Sequence, residues 1–340
     1  MILKYKSFNL PFHHPFTISK GTKTHQPTLI VSLQTGNCIG YGESPAIAYY
    51  NISVEKMIED LESKRKLIES FAFTSPERYW HYLHHLFPNN PFLVCALDMA
   101  GWDLYGKMHR KSLSELISNN QTNSILTDYT IGIDSIDKML EKIKEKPWPI
   151  YKIKVGMEGD MEIVKAIRKN TTSVLRVDAN AAWNAEEALV KIKELALLNI
   201  EFVEQPLAKD DWDGMQYLFK HSPLPLIADE SCVFENDVEK CVQHFHGINI
   251  KLTKCSGITP AIRMITVARK NNLKLMMGCM NESTIGSAAI AHFIPLLDYV
   301  DMDGPLLLKE DIASGIYFNQ GNVLINNSPG LGIQILENAF

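Results

Sequence analysis

Tyr151-Lys152-Ile153-Lys154, Leu175-Arg176-Val177-Asp178, Glu201-Phe202-Val203-Glu204, Leu226-Ile227-Ala228-Asp229 and Ile248-Asn249-Ile250-Lys251 are five short strand-like segments, each ending in a charged residue. The spacings from Lys154 through Asp178, Glu204 and Asp229 to Lys251 are 24, 26, 25 and 22 residues, about one βα unit apiece. Parallel strands joined by crossover helices of that length bring their C-terminal ends to one face, and in a barrel that face carries the chemistry. A carboxylate there can also be only the cap of the following helix, and a lysine can simply be solvated. Five matched positions in register weigh against that reading.

The alternation extends outward from this series. Residues 127–131 read as a first strand, and 273–277 and 299–301 as a seventh and eighth, so that eight strands close into a barrel over residues 125–310. Asn184 followed by Glu187 resembles a capping box, and Thr259-Pro260 places a cap residue before a proline at the first helical position. Residues 1–124 are different: strands at 3–10, 28–35 and 38–42 come first, then helices at 54–70, 76–86, 92–108 and 112–117. That order is an α+β pattern. The polar segment 13–26, with Gly21, reads as a flexible loop. The glycine-rich tail 311–340 leaves the alternation and is expected to pack back on the N-terminal part.

Composition fits a soluble enzyme. The chain has 340 residues, 46% of them hydrophobic, enough for a large core. A net charge of −5 without a basic block argues against nucleic acid or an anionic membrane surface as partner. No apolar run approaches a membrane span, and Lys4 and Lys6 interrupt the start, unlike a signal peptide. Cys38, Cys95, Cys232, Cys241, Cys255 and Cys279 are scattered, which reads as reduced thiols in the cytoplasm. The histidines lack any metal-binding spacing.

In an eight-stranded ring, strands four apart face each other. The second opposes the sixth, so Lys154 and Lys251 approach a central ligand from opposite sides. The fourth opposes the eighth, so Glu204 faces Asp301 and Asp303. Lys152 and Lys154, two apart on one strand, point the same way. Three oxygen donors on adjacent strands, Asp178, Glu204 and Asp229, suit one Mg²⁺ per subunit, which can chelate a substrate carboxylate and stabilise an enediolate. Two lysines on opposite faces can then remove a proton and return one to the far side, inverting that carbon. Thr130 and Cys279 lie at the mouth by position and are expected to touch substrate, and Asn180 and Glu282 are further candidates.

These motifs resemble the enolase superfamily in its muconate-lactonising subgroup. The residues that carry the resemblance are Lys152-Ile153-Lys154, Val177-Asp178-Ala179-Asn180, Val203-Glu204-Gln205-Pro206, Ala228-Asp229-Glu230-Ser231, Asn249-Ile250-Lys251-Leu252 and the early Ala96-Leu97-Asp98-Met99-Ala100 with Trp102-Asp103. The resemblance implies a (β/α)7β TIM-like barrel with an α+β capping domain made from both termini. It also implies Mg²⁺ on Asp178, Glu204 and Asp229, acid/base roles for Lys154 and Lys251, and Lys152 holding the substrate carboxylate.

Asp301-Met302-Asp303 resembles the signature of the dipeptide epimerases, where the pair binds the substrate's α-ammonium group. A carboxylate on the metal and an ammonium opposite describe a short zwitterion such as a dipeptide. Muconate and succinylbenzoate carry no ammonium, and two carboxylates would repel them. Ala-Glu epimerases of this kind place an arginine in the first loop, where this chain has Gly21, with Lys20 and Lys23 nearby. The expectation is therefore an Ala-Xaa epimerase with a small or hydrophobic Xaa such as Ala or Val, active as a homo-oligomer or a single chain. The alternatives are an Ala-Glu epimerase, an o-succinylbenzoate synthase or muconate cycloisomerase on the same scaffold, a Schiff-base lyase, or a non-catalytic binding barrel.

Overall fold

The computed structural model describes residues 1–117 and 124–337. It begins with an antiparallel sheet, β1 (Ile2–Ile18), β2 (Gly21–Thr35) and β3 (Cys38–Pro45), followed by helices α1 (Val54–Ser70), α2 (Pro76–Leu86) and α3 (Pro91–His109). Segment 13–26, expected to be a loop, is instead the end of a long hairpin. Phe16 pairs with Lys23, Thr17 with Thr22 and Ile18 with Gly21, beyond an irregularity between Pro11 and Phe16. Its β-branched and aromatic residues suit a pleated surface, and the Thr17 and Thr22 hydroxyls meet at 2.9 Å. Polar composition alone hid this pairing. Gly21, at φ +136°, makes the turn that few other residues adopt.

Helix α3 lies against β3 with most of its residues buried. The close approach needs glycine: a Cβ on Gly42 would fall 1.9 Å from the Ala96 carbonyl oxygen.

The barrel follows as β4 (Tyr129–Ile131), β5 (Ile150–Lys154), β6 (Val174–Asp178), β7 (Ile200–Glu204), β8 (Leu226–Ala228), β9 (Gly247–Ile250), β10 (Lys274–Gly278) and β11 (Tyr299–Asp301). These strands pair in chain order, all in parallel. An isolated parallel bridge from Thr127 to Val300 joins the first to the last. Asn184 caps its helix, its side chain accepting from the Glu187 amide at 3.0 Å, while the return arm of the capping box runs from the Asn184 side-chain amide to the Glu187 carboxylate at 3.4 Å. Thr259 does not cap in the expected way. The helix Ile258–Lys270 starts after Gly257, and Asp98 of α3 accepts from the Thr259 amide and hydroxyl at 3.0 and 2.8 Å. A carboxylate from the N-terminal region therefore supplies the cap, and burial pushes its pKa up to about 7.

The tail touches both regions, the barrel where the Thr127 amide donates to the Gly321 carbonyl at 2.9 Å. Lys309 donates its amide to Pro11 at 2.8 Å, Leu331 donates to Asp103 of α3 at 2.8 Å, and Ala313–Ser314 pairs with Gln334–Ile335.

His292, fully buried after the helix Thr284–Ala291, accepts from the Ser114 amide at 3.2 Å. Burial lowers its pKa from 6.5 to about 4, partly offset by the Leu331 backbone. Between those values the unfolded chain binds the extra proton, so stability falls as pH drops through this window. At full development the loss is about 3 kcal/mol. Melting temperatures recorded from pH 7 to 4 are expected to fall more steeply for wild type than for His292→Gln; equal slopes would refute this.

Candidate active site

The strand ends assemble as a ring. Lys154 pairs in register with Asp178, Asp178 with Glu204, and Gly278 with Asp301. Asp229 and Lys251 follow the last residues of β8 and β9. The carboxylates of Asp178, Glu204 and Asp229 each offer an oxygen within 4.8 Å of the others, and all three are buried. This donor set of hard oxygens fits a divalent cation such as Mg²⁺. Lys154 Nζ lies 2.6 Å from Asp178 Oδ2, and Lys251 Nζ lies 2.8 Å from Asp229 Oδ2.

A cavity of about 310 Å³ opens above the ring, a size that suits a small ligand. Lys154, Lys251, Asp229, Asp301 and Asp303 lie in its wall, with Thr130, Cys279 and Asn180. The β1–β2 hairpin covers it with Ile18, Lys20 and Lys23, and Tyr49 and Tyr50 close another side.

Lys152 is not in that wall. It is fully buried beneath, with Nζ 2.7 Å from both Glu204 Oε2 and Asp301 Oδ2 and 3.5 Å from Asp178 Oδ2. It thus ties the fourth barrel strand to the eighth, the two that oppose each other. The Asp301–Asp303 pair is asymmetric. Asp301 is lowered to about 2, where Lys152 overcomes burial, whereas burial and the Asp301 charge raise Asp303 to about 7. Asp303 accepts from the Thr130 amide at 2.6 Å and faces the Cys279 thiol at 3.7 Å. Burial and the Asp178 carboxylate push Glu204 up to about 7 against Lys152. Lys251 is held well above its ordinary value: burial opposes this, but Asp229 and Glu204 outweigh it.

Residues 4–118 match the N-terminal domain of the mandelate racemase / muconate lactonizing enzyme family, and residues 135–339 match the enolase C-terminal domain-like family. An L-Ala-D/L-amino acid epimerase of Flavobacterium johnsoniae is 50% identical over 336 residues, covering 99% of this chain and 100% of that protein. The chain belongs to the enolase superfamily, among its dipeptide epimerases.

Two solved dipeptide epimerases share the fold closely. A substrate-liganded L-Ala-D/L-Glu epimerase of Bacillus subtilis superposes with TM-score 0.93 at 28% identity, over 98% of each chain. A dipeptide epimerase of Cytophaga hutchinsonii, complexed with Mg and D-Ala-L-Val, gives TM-score 0.93 at 27% identity, over 99% of this chain and 97% of that one.

Several residues around this epimerase site were not assigned from the sequence. Lys254 is buried against Asp229. Asn249 donates to Glu204 Oε1 at 2.7 Å. Gln205 Oε1 accepts from the amides of Asp229 and Ser231, fixing the turn after β8. Glu230 reaches Lys20 at 3.3 Å, across 210 residues of sequence. Asn249, Gln205 and Glu230 lie inside the motifs already quoted, and Lys254 stands three residues past Lys251. Their neighbours gave a signal; their partners did not. Asn180 donates its amide to Asp178 at 2.9 Å, whereas Glu282 turns to the Met280 amide at 2.5 Å and stays out of the cavity wall.

Proposed function

We propose that the chain inverts the α-carbon of the C-terminal residue of Ala-Xaa dipeptides by a two-base 1,1-proton transfer. The observation that carries this reading is the placing of Lys154 and Lys251 in one cavity wall, on strands four apart, with Asp301 and Asp303 in the same cavity. Asp178, Glu204 and Asp229 would hold one Mg²⁺, which supplies positive charge beside the substrate carboxylate and so lowers the cost of ionising the adjacent carbon. One lysine takes the α-proton from one face, and the other delivers a proton to the opposite face. Asp301 and Asp303 receive the α-ammonium of the first residue, with Thr130 and Cys279 orienting Asp303. Lys152, beneath the floor, neutralises Glu204 and Asp301 together and keeps the two opposing walls at a fixed separation.

The cavity favours a small or hydrophobic Xaa such as Ala or Val. Lys20 is already engaged by Glu230 and lies 3.8 Å from the centre of the Tyr49 ring. A negative side chain would meet the buried Glu230 carboxylate, and the side chains of Ile18, Ile47 and Met280 offer it no hydrogen-bond donor. One residue favours the Ala-Glu reading. Lys23 lines the cavity, burial lowers its pKa, and its hydrogen-bond partner at 3.3 Å is the neutral amide of Gln26. Wild type is expected to prefer Ala-Val to Ala-Glu in kcat/KM. Should Ala-Glu win, and Lys23→Met cost that preference about tenfold or more, the acidic reading replaces the apolar one.

The six cysteines are unpaired and no helix among the described residues is long and apolar enough to cross a membrane. The free thiols support a cytoplasmic enzyme; the capping and barrel regions would divide at 1–124, 125–310 and 311–340. Proton exchange in D₂O with Mg²⁺, followed by NMR over Ala-Xaa dipeptides of each configuration, tests the function. Exchange with inversion at the second residue, abolished by EDTA, is expected. Absence of exchange on every dipeptide would move the assignment to a cycloisomerase.

A further inference from the structure

Asp229 carries two lysines, and they approach from different sides. Lys251 contacts Oδ2 at 2.8 Å and lies in the cavity wall. Lys254 contacts Oδ1 at 2.5 Å, is 1% exposed, and has no place in that wall. Its ammonium also donates to the Asp229 carbonyl at 2.5 Å, to the Cys232 carbonyl at 3.1 Å and more weakly to the Asn249 carbonyl at 3.5 Å. The local chain explains how it gets there. Leu252–Cys255 forms one helical turn after β9, ended by Ser256 at φ +73°. That turn sends Lys251 toward the mouth and Lys254 behind the loop that follows β8.

We infer that Lys254 is a positioning residue that reserves Oδ1 of Asp229 from behind, so that the single oxygen this carboxylate can offer a metal is Oδ2, which it shares with Lys251 on the cavity side. The inference rests on the reading of Asp178, Glu204 and Asp229 as metal ligands. An ammonium has three N–H donors, and here they are spent on the carboxylate and on backbone carbonyls at 3.1 Å or less, so the rotamer of Asp229 is held at both ends. A carboxylate held by one oxygen serves Mg²⁺, which demands near-octahedral geometry with short bonds. Ca²⁺ takes more oxygens, often two from one carboxylate. Lys254 would thus set which divalent cation the site prefers, without touching substrate.

Calorimetric titration of the metal-free protein with MgCl₂ and with CaCl₂ tests this, on wild type, Lys254→Met, Lys254→Gln and Asp178→Asn, with thermal melting to verify folding. Wild type is expected to favour Mg²⁺, and Asp178→Asn to lose binding of both cations. Lys254→Met should shift the Mg²⁺/Ca²⁺ affinity ratio toward Ca²⁺ by tenfold or more, about 1.4 kcal/mol. Lys254→Gln, which keeps a donor for Oδ1, should shift it less, and it decides the matter if the Met variant does not fold. A folded Lys254 variant with the wild-type ratio would overturn the inference while leaving the metal site intact. Wild type that binds neither cation, or Asp178→Asn that binds both normally, would overturn the metal reading itself.

Discussion

Replacing Lys154 with Met is expected to abolish epimerisation yet leave solvent exchange of the α-proton in one epimer. Lys251→Met should do the same for the other. The two ammonium groups belong to strands four apart in the ring, so each reaches one face of the substrate carbon. Losing either removes proton delivery to its face but leaves abstraction from the opposite one. General acid–base contributions of about 10²–10⁴-fold are typical, and here the lost base is obligatory for turnover, so the upper end is expected for epimerisation. Neither lysine is replaceable by water in place, because both are nearly buried and each is held by a carboxylate, Asp178 or Asp229. NMR in D₂O reads exchange and inversion separately. If both variants exchanged both epimers, a single-base mechanism would replace the two-base one.

Asp303→Asn is expected to lower kcat/KM for dipeptides by about 10²–10³-fold, chiefly through KM. Removing one partner of a buried charge pair generally costs about 2–5 kcal/mol. Asp303 is 1% exposed, and its place at the mouth is held by the Thr130 amide, so the asparagine can keep that hydrogen bond and the fold. Asp301 is a poorer choice for this test, because Lys152 depends on it. The discriminating readout is an N-acetylated dipeptide, which has no ammonium. Wild type should reject it, and Asp303→Asn should narrow the gap between the two substrates. An equal loss on both would mean that Asp303 acts on the fold and not on the ammonium.

Much of the barrel could be read from the sequence because its information is local. A strand that ends in a charge, a capped amphipathic helix and a repeat of about 25 residues can all be recognised without knowing what lies opposite. Helices α1 and α2 likewise occupy the ranges 54–70 and 76–86 read from the sequence. Segment 13–26 was misread because pairing across a hairpin is not written in composition. Thr259 was misread because the cap of its helix comes from Asp98, 161 residues earlier.

Sequence by itself determined which charged residues gather at one end of the barrel, since parallel strand ends of matched spacing must share a face. Tertiary structure alone decided how those charges divide their partners. Lys152 sinks to join Glu204 to Asp301, Lys154 and Lys251 remain in the cavity wall, Lys20 is taken by Glu230, and Lys254 closes on Asp229 from behind. Ion pairs form at separations near 3 Å, and whether two side chains come that close depends on ring closure and on the hairpin laid across the mouth. Residues 149 or 210 positions apart carry no local trace of such a meeting.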